Sequence, residues 1–360
     1  MKHGQNILSN RINGKKVYKR NYKKLDGRNL SLYGYKQHNE NPLKEENFKQ
    51  AKAGELRWHP LRREHNIYSP NRQNRVFKPS ASSDPLNPSI KGKKPTEIPF
   101  ENFEVAIFDN KFSSLHSDAP EPSHSSGINT SRANGHCDVV VYGTESTGNL
   151  YTIGQSKRRL LIEAWIDRYE KLFSEGYKFI LPFENRGDAV GTTLSHPHGQ
   201  IYAFPFIPRV QSDALKSFNE GYDLSHYINN NKSEFGVTEM NGIEAFCPSF
   251  SRFPYEVWLA PNVKKAGLWD FTEKEKEGFA YLLGEITRKY DMLFDEPMPY
   301  MLSLHSAPLN ENDNWHFTAQ FYPIMRAKDK IKYFAAVEQS SGTFTVDVMP
   351  EMSSKVLSKL

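Results

Sequence analysis

Ser195-His196-Pro197-His198-Gly199-Gln200-Ile201-Tyr202-Ala203 sets two histidines on alternate positions, then a glycine and an amide, inside an apolar and aromatic run. In an extended chain alternate residues share a face, so His196 and His198 are expected to project together while Pro197 stiffens the backbone between them. One imidazole is then placed to do chemistry and the other to brace it. Gly199 is expected to leave room for a bulky anion near the main chain, and Gln200, on the face of His198, offers an uncharged N–H donor to a phosphoryl oxygen. This combination suggests phosphoryl or nucleotidyl transfer through a histidine nucleophile. A His-x-His pair on a strand is equally a metal-ligand spacing, and single histidines often satisfy core hydrogen bonds, so the pair alone leaves those readings open.

The segments before it add context. Phe183-Glu184-Asn185-Arg186-Gly187 and Gly191-Thr192-Thr193 form a polar, glycine-punctuated stretch of the kind whose amides and hydroxyls hold phosphates, although a plain strand connection has the same composition. Together, FENRGDAVGTTLS and HPHGQIYA resemble the active-site segment of the galactose-1-phosphate uridylyltransferases, a branch of the histidine-triad superfamily. The resemblance implies an α+β fold of two tandem histidine-triad-like units, each an antiparallel sheet with packed helices. It also implies a ping-pong transfer of UMP from UDP-glucose to galactose 1-phosphate through a uridylyl-histidine. His198 corresponds to the nucleophile, Gln200 to the contact on the transferring phosphoryl group, and His196 to the residue that orients the site, its carbonyl placed to hold the second N–H of His198. Asn185 and Thr193 become phosphate or ribose contacts. Two rivals stay open: an ADP- or GDP-sugar or dinucleotide phosphorylase using the same histidine, and a non-catalytic nucleotide-binding protein.

With 360 residues, 38% hydrophobic and 13% aromatic, the chain has enough apolar side chains for two core-forming units and does not read as disordered. The net charge of +5 is uneven: residues 1–36 hold ten Lys/Arg against the single acid Asp26. A nucleic-acid arm is one reading of that segment, but its interleaved Tyr and Leu favour a solvated extension, and no nucleic-acid partner is expected. Cys137 and Cys247 are the only cysteines and form no CxxC pair, which speaks against a disulfide framework and for a reducing, cytoplasmic setting. No apolar run approaches the length of a membrane span, so no membrane partner is expected.

In chain order, residues 1–53 read as a basic extension packed on the main body and not as a separate domain, 54–210 as the catalytic unit, 211–348 as a second unit and 349–360 as a tail. The family resemblance makes Arg72 and Arg75 nucleotide-phosphate contacts and sets Phe108, Asn110 and Phe112 around the nucleoside. Helical spacing runs from Lys157 to Phe173 and from Thr272 to Phe294, the latter with a cap at Asp270 or Thr272. The second helix is followed by Tyr300–His305 and Trp315–Tyr322, which parallel the strands around His198 and suggest a duplicated unit. Relatives hold a structural metal where this chain has Asp84, Asn87 and Ser146 beside His196, and a second one where it has Thr318 and Gln320 beside His305; both ligand sets are poor, so no metal or other cofactor is expected, with His305 and nearby His316 left less settled. Lys332 and Glu338 correspond to the hexose-phosphate side, and relatives imply a homodimer.

Overall fold

The computed structural model describes residues 5–12, 14–48, 54–70, 73, 83–122 and 127–360. Strands β1 (Gln5–Ile12), β2 (Lys15–Lys23) and β3 (Asn29–Gly34) form an antiparallel meander. They are followed by β4 (Glu55–His59), β5 (Glu64–Tyr68), β6 (Val105–Asp109) and β7 (Thr130–Arg132), of which β4, β5 and β7 make a small separate sheet. The next segment runs β8 (His136–Val141), α1 (Gln155–Ser174), β9 (Phe179–Arg186) and β10 (His198–Phe204). After α2 (Arg209–Asn219), α3 (Leu224–Phe235), β11 (Gly236–Met240) and β12 (Ile243–Phe246), the pattern recurs as β13 (Val257–Pro261), α4 (Glu273–Leu293), β14 (Tyr300–His305) and β15 (Thr318–Pro323). The short helices α5 (Ala336–Ser341) and α6 (Pro350–Leu357) close the chain.

The two repeats do not keep separate sheets. β9 and β14 pair antiparallel, Arg186 opposite Tyr300 and Phe183 opposite Ser303, and join twelve strands in the order β1-β2-β3-β6-β8-β10-β9-β14-β15-β13-β12-β11. The order β8-β10-β9 thus meets its counterpart β13-β15-β14 at one seam, within the α+β architecture the sequence implied.

Helices cover one face of this sheet. α1, within the expected helical range, buries Leu160, Leu161, Ala164, Trp165, Tyr169 and Leu172, and α4 buries Phe279, Leu282, Leu283 and Ile286 against the same core. α4 starts at a reciprocal cap: the Thr272 hydroxyl accepts from Glu275 N at 3.2 Å and the Glu275 carboxylate accepts from Thr272 N at 2.7 Å. Where the helices cross, the Arg158 guanidinium lies over Gly284, at which a Cβ would fall 2.4 Å from its central carbon. Arg158 instead donates to the carbonyls of Ala280 and Leu150 at 2.6 and 2.7 Å.

The described part of the basic N-terminal segment packs on the main body, but part of its charge is not solvated. Lys19, Arg20, Lys24 and Arg28 are buried, because β2 and β3 extend the main sheet beside β6 and find counter-charges there. Lys19 pairs with Asp167 of α1 at 2.5 Å, while Lys24 and Arg28 both reach Glu97, at 2.9 and 2.6 Å. Nor is residue range 349–360 a loose tail: α6 starts on Pro350, buries Leu357 and bonds Ser354 to the Glu234 carbonyl at 2.7 Å.

Candidate active site

Side chains alternate along β10. Gly199, Ile201 and Ala203 are buried toward the helices, whereas His198, Gln200 and Tyr202 point to the opposite face. The strand begins at His198, and His196, just before it, is 1% exposed. There its Nε2–H donates to the Gly143 carbonyl at 2.8 Å, and burial lowers its pKa, keeping the ring neutral. The His196 carbonyl accepts from His198 Nδ1–H at 2.7 Å. That bond selects the tautomer that carries its lone pair on Nε2, the nitrogen a nucleophile needs.

Gly199 serves packing and not, as the sequence suggested, an anion. A Cβ there would lie 2.5 Å from the Tyr142 hydroxyl and 2.9 Å from the Phe183 carbonyl, so the room a missing side chain leaves is already taken. The hydroxyls of Tyr142 and Tyr300 donate to the two oxygens of buried Glu184, each at 2.8 Å, which ties β8, β9 and β14 together beneath the site. Burial raises the pKa of Glu184 against these two bonds.

Two cavities meet at His198. One, of about 130 Å³, brings the ring together with Gln200, Thr193, Phe108, Asn110 and Phe112. The other, of about 650 Å³, is lined by His196, Asn185, Arg186 and Thr193 as well as His198. Asn110 accepts from Phe112 N at 2.8 Å, a local turn that sets the two side chains. Gln200 Oε1 is buried and has no protein hydrogen-bond partner among the described residues. Arg186 makes a two-point ion pair with Asp291, at 2.7 and 2.9 Å, at the rim.

Other expected site residues are placed apart. Arg72 and Arg75 lie outside the described residues. Lys332 and Glu338 form an ion pair at 2.5 Å, and Glu338 also accepts from Ala335 N and Thr345 N, but neither residue lines the cavities at His198. Residues the sequence reading missed include Glu97, Lys111, Pro85, Val139 and Leu194, all lining the smaller cavity. Lys111 stands between Asn110 and Phe112, both singled out in the sequence; nothing local marks Glu97.

The residues at the two family metal positions do not fit a metal. Asp84 Oδ2 lies 4.0 Å from His196 Nδ1, and with Asn87 and Ser146 they offer one imidazole, one carboxylate and no thiolate, short of a tetrahedral zinc set. In the second unit Thr318 and Gln320 bond to each other at 2.8 Å, and His305 faces Ser303 and Gln211. His316 does not join them: it precedes β15 and donates from Nε2 to the Pro261 carbonyl at 2.8 Å. Burial lowers both histidines to about 4. Among the described residues one further group, Asp109, His136 and Asp138, gathers potential ligands. Arg168 donates to Asp138 at 2.9 and 2.6 Å, and His136 contacts Asp138 at 2.8 Å. Burial disfavours the charged imidazole, but the two carboxylates outweigh it and raise the pKa of His136, as in an ion-pair cluster.

Residues 44–208 match the model of the galactose-1-phosphate uridyl transferase N-terminal domain, and residues 210–360 that of its C-terminal domain. The chain belongs to the galactose-1-phosphate uridylyltransferase family. A relative from Thermotoga maritima, a galactose-1-phosphate uridylyltransferase, is 35% identical over 84% of this chain and 97% of its own. The Rattus norvegicus enzyme of the same name is 25% identical over 86% and 88%. Among solved structures a uridylyltransferase superposes with a TM-score of 0.77 at 25% identity, covering 85% of this chain and 97% of its own. An ADP-glucose phosphorylase from Arabidopsis thaliana, at 21% identity, TM-score 0.63 and coverage of 86% and 99%, shares the fold. Strands β1–β3 precede the segment matched by the family model.

Proposed function

We propose that this uridylyltransferase-family chain moves UMP from UDP-glucose to galactose 1-phosphate by a ping-pong reaction through His198. The observation that carries the reading is the bond from His198 Nδ1–H to the His196 carbonyl, which keeps Nε2 basic beside Gln200. In the first half-reaction Nε2 attacks the α-phosphorus, the N–P bond forms, and the bond to the β-phosphate oxygen breaks as glucose 1-phosphate leaves. The His196 carbonyl then stabilises the positive charge that the uridylylated ring acquires, and the Gln200 amide donates to a non-bridging oxygen. In the second half-reaction a phosphate oxygen of galactose 1-phosphate attacks the same phosphorus, UDP-galactose forms, and His198 is restored neutral. Phe108, Phe112, Val139 and Leu194 give the smaller cavity an apolar wall suited to a base, and Asn185 and Thr193 supply polar contacts near the phosphates.

The hexose-phosphate role of Lys332 and Glu338 is proposed for a homodimer. Tyr333, Phe334 and Val337, on the same segment, are exposed by 79%, 60% and 53%, an apolar surface suited to a second copy. The two cysteines are free and buried, and no described helix is long and apolar enough to cross a membrane, which supports a cytoplasmic setting. The reaction is proposed to need no bound metal, since neither family position supplies the ligands.

Intact-mass analysis after incubation with UDP-glucose alone tests this. A UMP-sized, acid-labile gain in the wild type, absent from His198→Ala, is expected, with no stoichiometric zinc or iron in the same sample by elemental analysis. A gain only with ADP- or GDP-sugars would shift the reading to a phosphorylase, and no gain with any nucleotide would leave a binding protein.

A further inference from the structure

We infer that Glu97 contacts the nucleoside: its carboxylate accepts a hydrogen bond from the ribose 2′-hydroxyl or from a base N–H, and Lys24 and Arg28 of the β2–β3 turn are the residues that position it. The inference rests on the nucleotidyl-transfer reading of the His198 cavity and adds to it an anionic contact and a role for the N-terminal strands.

Glu97 and Lys111 line the same small cavity as His198 and Gln200, and with Pro85 they also line an adjoining cavity of about 390 Å³ that reaches Lys24 and Arg28. The carboxylate is held from one side. Oε2 takes Lys24 Nζ at 2.9 Å and Arg28 Nη2 at 2.6 Å, and Lys24 also donates to the Glu97 carbonyl at 2.7 Å. Arg28 is itself fixed by Asp26 and by the Asp109 carbonyl, so the turn between β2 and β3 acts as a rigid mount. Oε1 is different. Lys111 Nζ stands 3.6 Å from it, beyond hydrogen-bond range, and is drawn toward the ring of Phe48 at 4.2 Å. Among the described residues Oε1 therefore keeps acceptor capacity on the cavity side.

The charge state agrees. Burial opposes ionisation of Glu97, but Lys24 and Arg28 outweigh it and hold the carboxyl at about 2, so it accepts and does not donate at neutral pH. An anion in this cavity would repel the phosphates, which places its contact at the other end of the nucleotide, on the neutral sugar or base. A cation cluster around a buried carboxylate can also be a purely structural knot, and the experiment must separate the two.

Calorimetric Kd values for UMP, 2′-deoxy-UMP and AMP are measured on the wild type, Glu97→Gln and Glu97→Asp. The Asp variant keeps the charge between Lys24 and Arg28 and withdraws the carboxylate by one methylene, which guards against a folding failure of the Gln variant. A ribose contact predicts that UMP and AMP weaken about tenfold while 2′-deoxy-UMP is unchanged; a base contact predicts that UMP and 2′-deoxy-UMP weaken together while AMP is unchanged. Either pattern supports the inference. Lys24→Met should reproduce the pattern in smaller degree, and Lys24→Arg should restore it. An equal loss for all three ligands, or no loss, overturns the inference and leaves the transfer reaction standing. A wild type that binds none of the three overturns both.

Discussion

Strands β10 and β15 are the same element used twice, and they have been finished differently. In each, a histidine just before the strand donates Nε2–H to the end of a neighbouring strand, His196 to Gly143 and His316 to Pro261. Two positions later stands His198 in one and Thr318 in the other, and two further on, Gln200 and Gln320. Gln320 is satisfied at both ends, donating to Thr318 and accepting from the Tyr322 hydroxyl, whereas Gln200 lines a cavity and its Oε1 has no protein partner among the described residues. The copy whose polar groups satisfy one another has become support. Unspent hydrogen-bonding capacity marks the one that is open to a ligand.

That contrast can be broken most sharply at His198, the proposed nucleophile. His198→Ala should lower exchange of UDP-glucose with galactose 1-phosphate by about 10⁴-fold or more, the scale seen when a covalent nucleophile is lost, while Thr318→Ala should stay within about threefold. A comparable loss in both variants would end the distinction between the strands.

A smaller effect is expected one residue further along. Gly199→Ala forces a Cβ against Tyr142 and the Phe183 carbonyl and should destabilise the fold by about 1–3 kcal/mol in denaturant titration. The equivalent exchange in β15, Ala319→Gly, should cost only about 0.5–1 kcal/mol, the usual backbone penalty. Equal costs would mean that the space around the two strands is not as different as the contacts indicate.

The smallest effect concerns acid. His316 has an ordinary pKa of 6.5 when unfolded and about 4 when folded, so the unfolded chain takes the proton first as pH falls. Its contribution to stability is therefore full above 6.5 and is lost progressively between 6.5 and 4. His316→Asn should flatten the fall of Tm across that window; an unchanged slope would show that its neutral form is not what β15 depends on.

Much of this was legible locally. The alternation of small and polar residues after His198 predicted which side chains of β10 share a face, and the apolar spacing with a cap at Asp270 or Thr272 predicted where α4 starts, because both depend on neighbours within one turn or one pleat. The bond between the His196 carbonyl and His198 was anticipated for the same reason. The burial of His196 was not, since it depends on how the segment before β10 packs against Gly143. The N-terminal lysines and arginines read as solvent-exposed charge because their partners are remote: Asp167 lies 148 positions from Lys19, and Glu97 lies 73 from Lys24.

The sequence by itself determined the periodicities of the strands and helices, the duplication, and the family-like residues of the His198 segment, all of which are written in residues close together along the chain. Only the tertiary structure decided that the two units share one sheet through β9 and β14, that Gly199 is filled by Tyr142 and not by a ligand, and that a basic N-terminal turn holds Glu97 at the wall of the His198 cavity. Those outcomes rest on contacts between distant segments, whose partners are chosen by register, burial and charge once the chain has folded and have no local pattern to announce them.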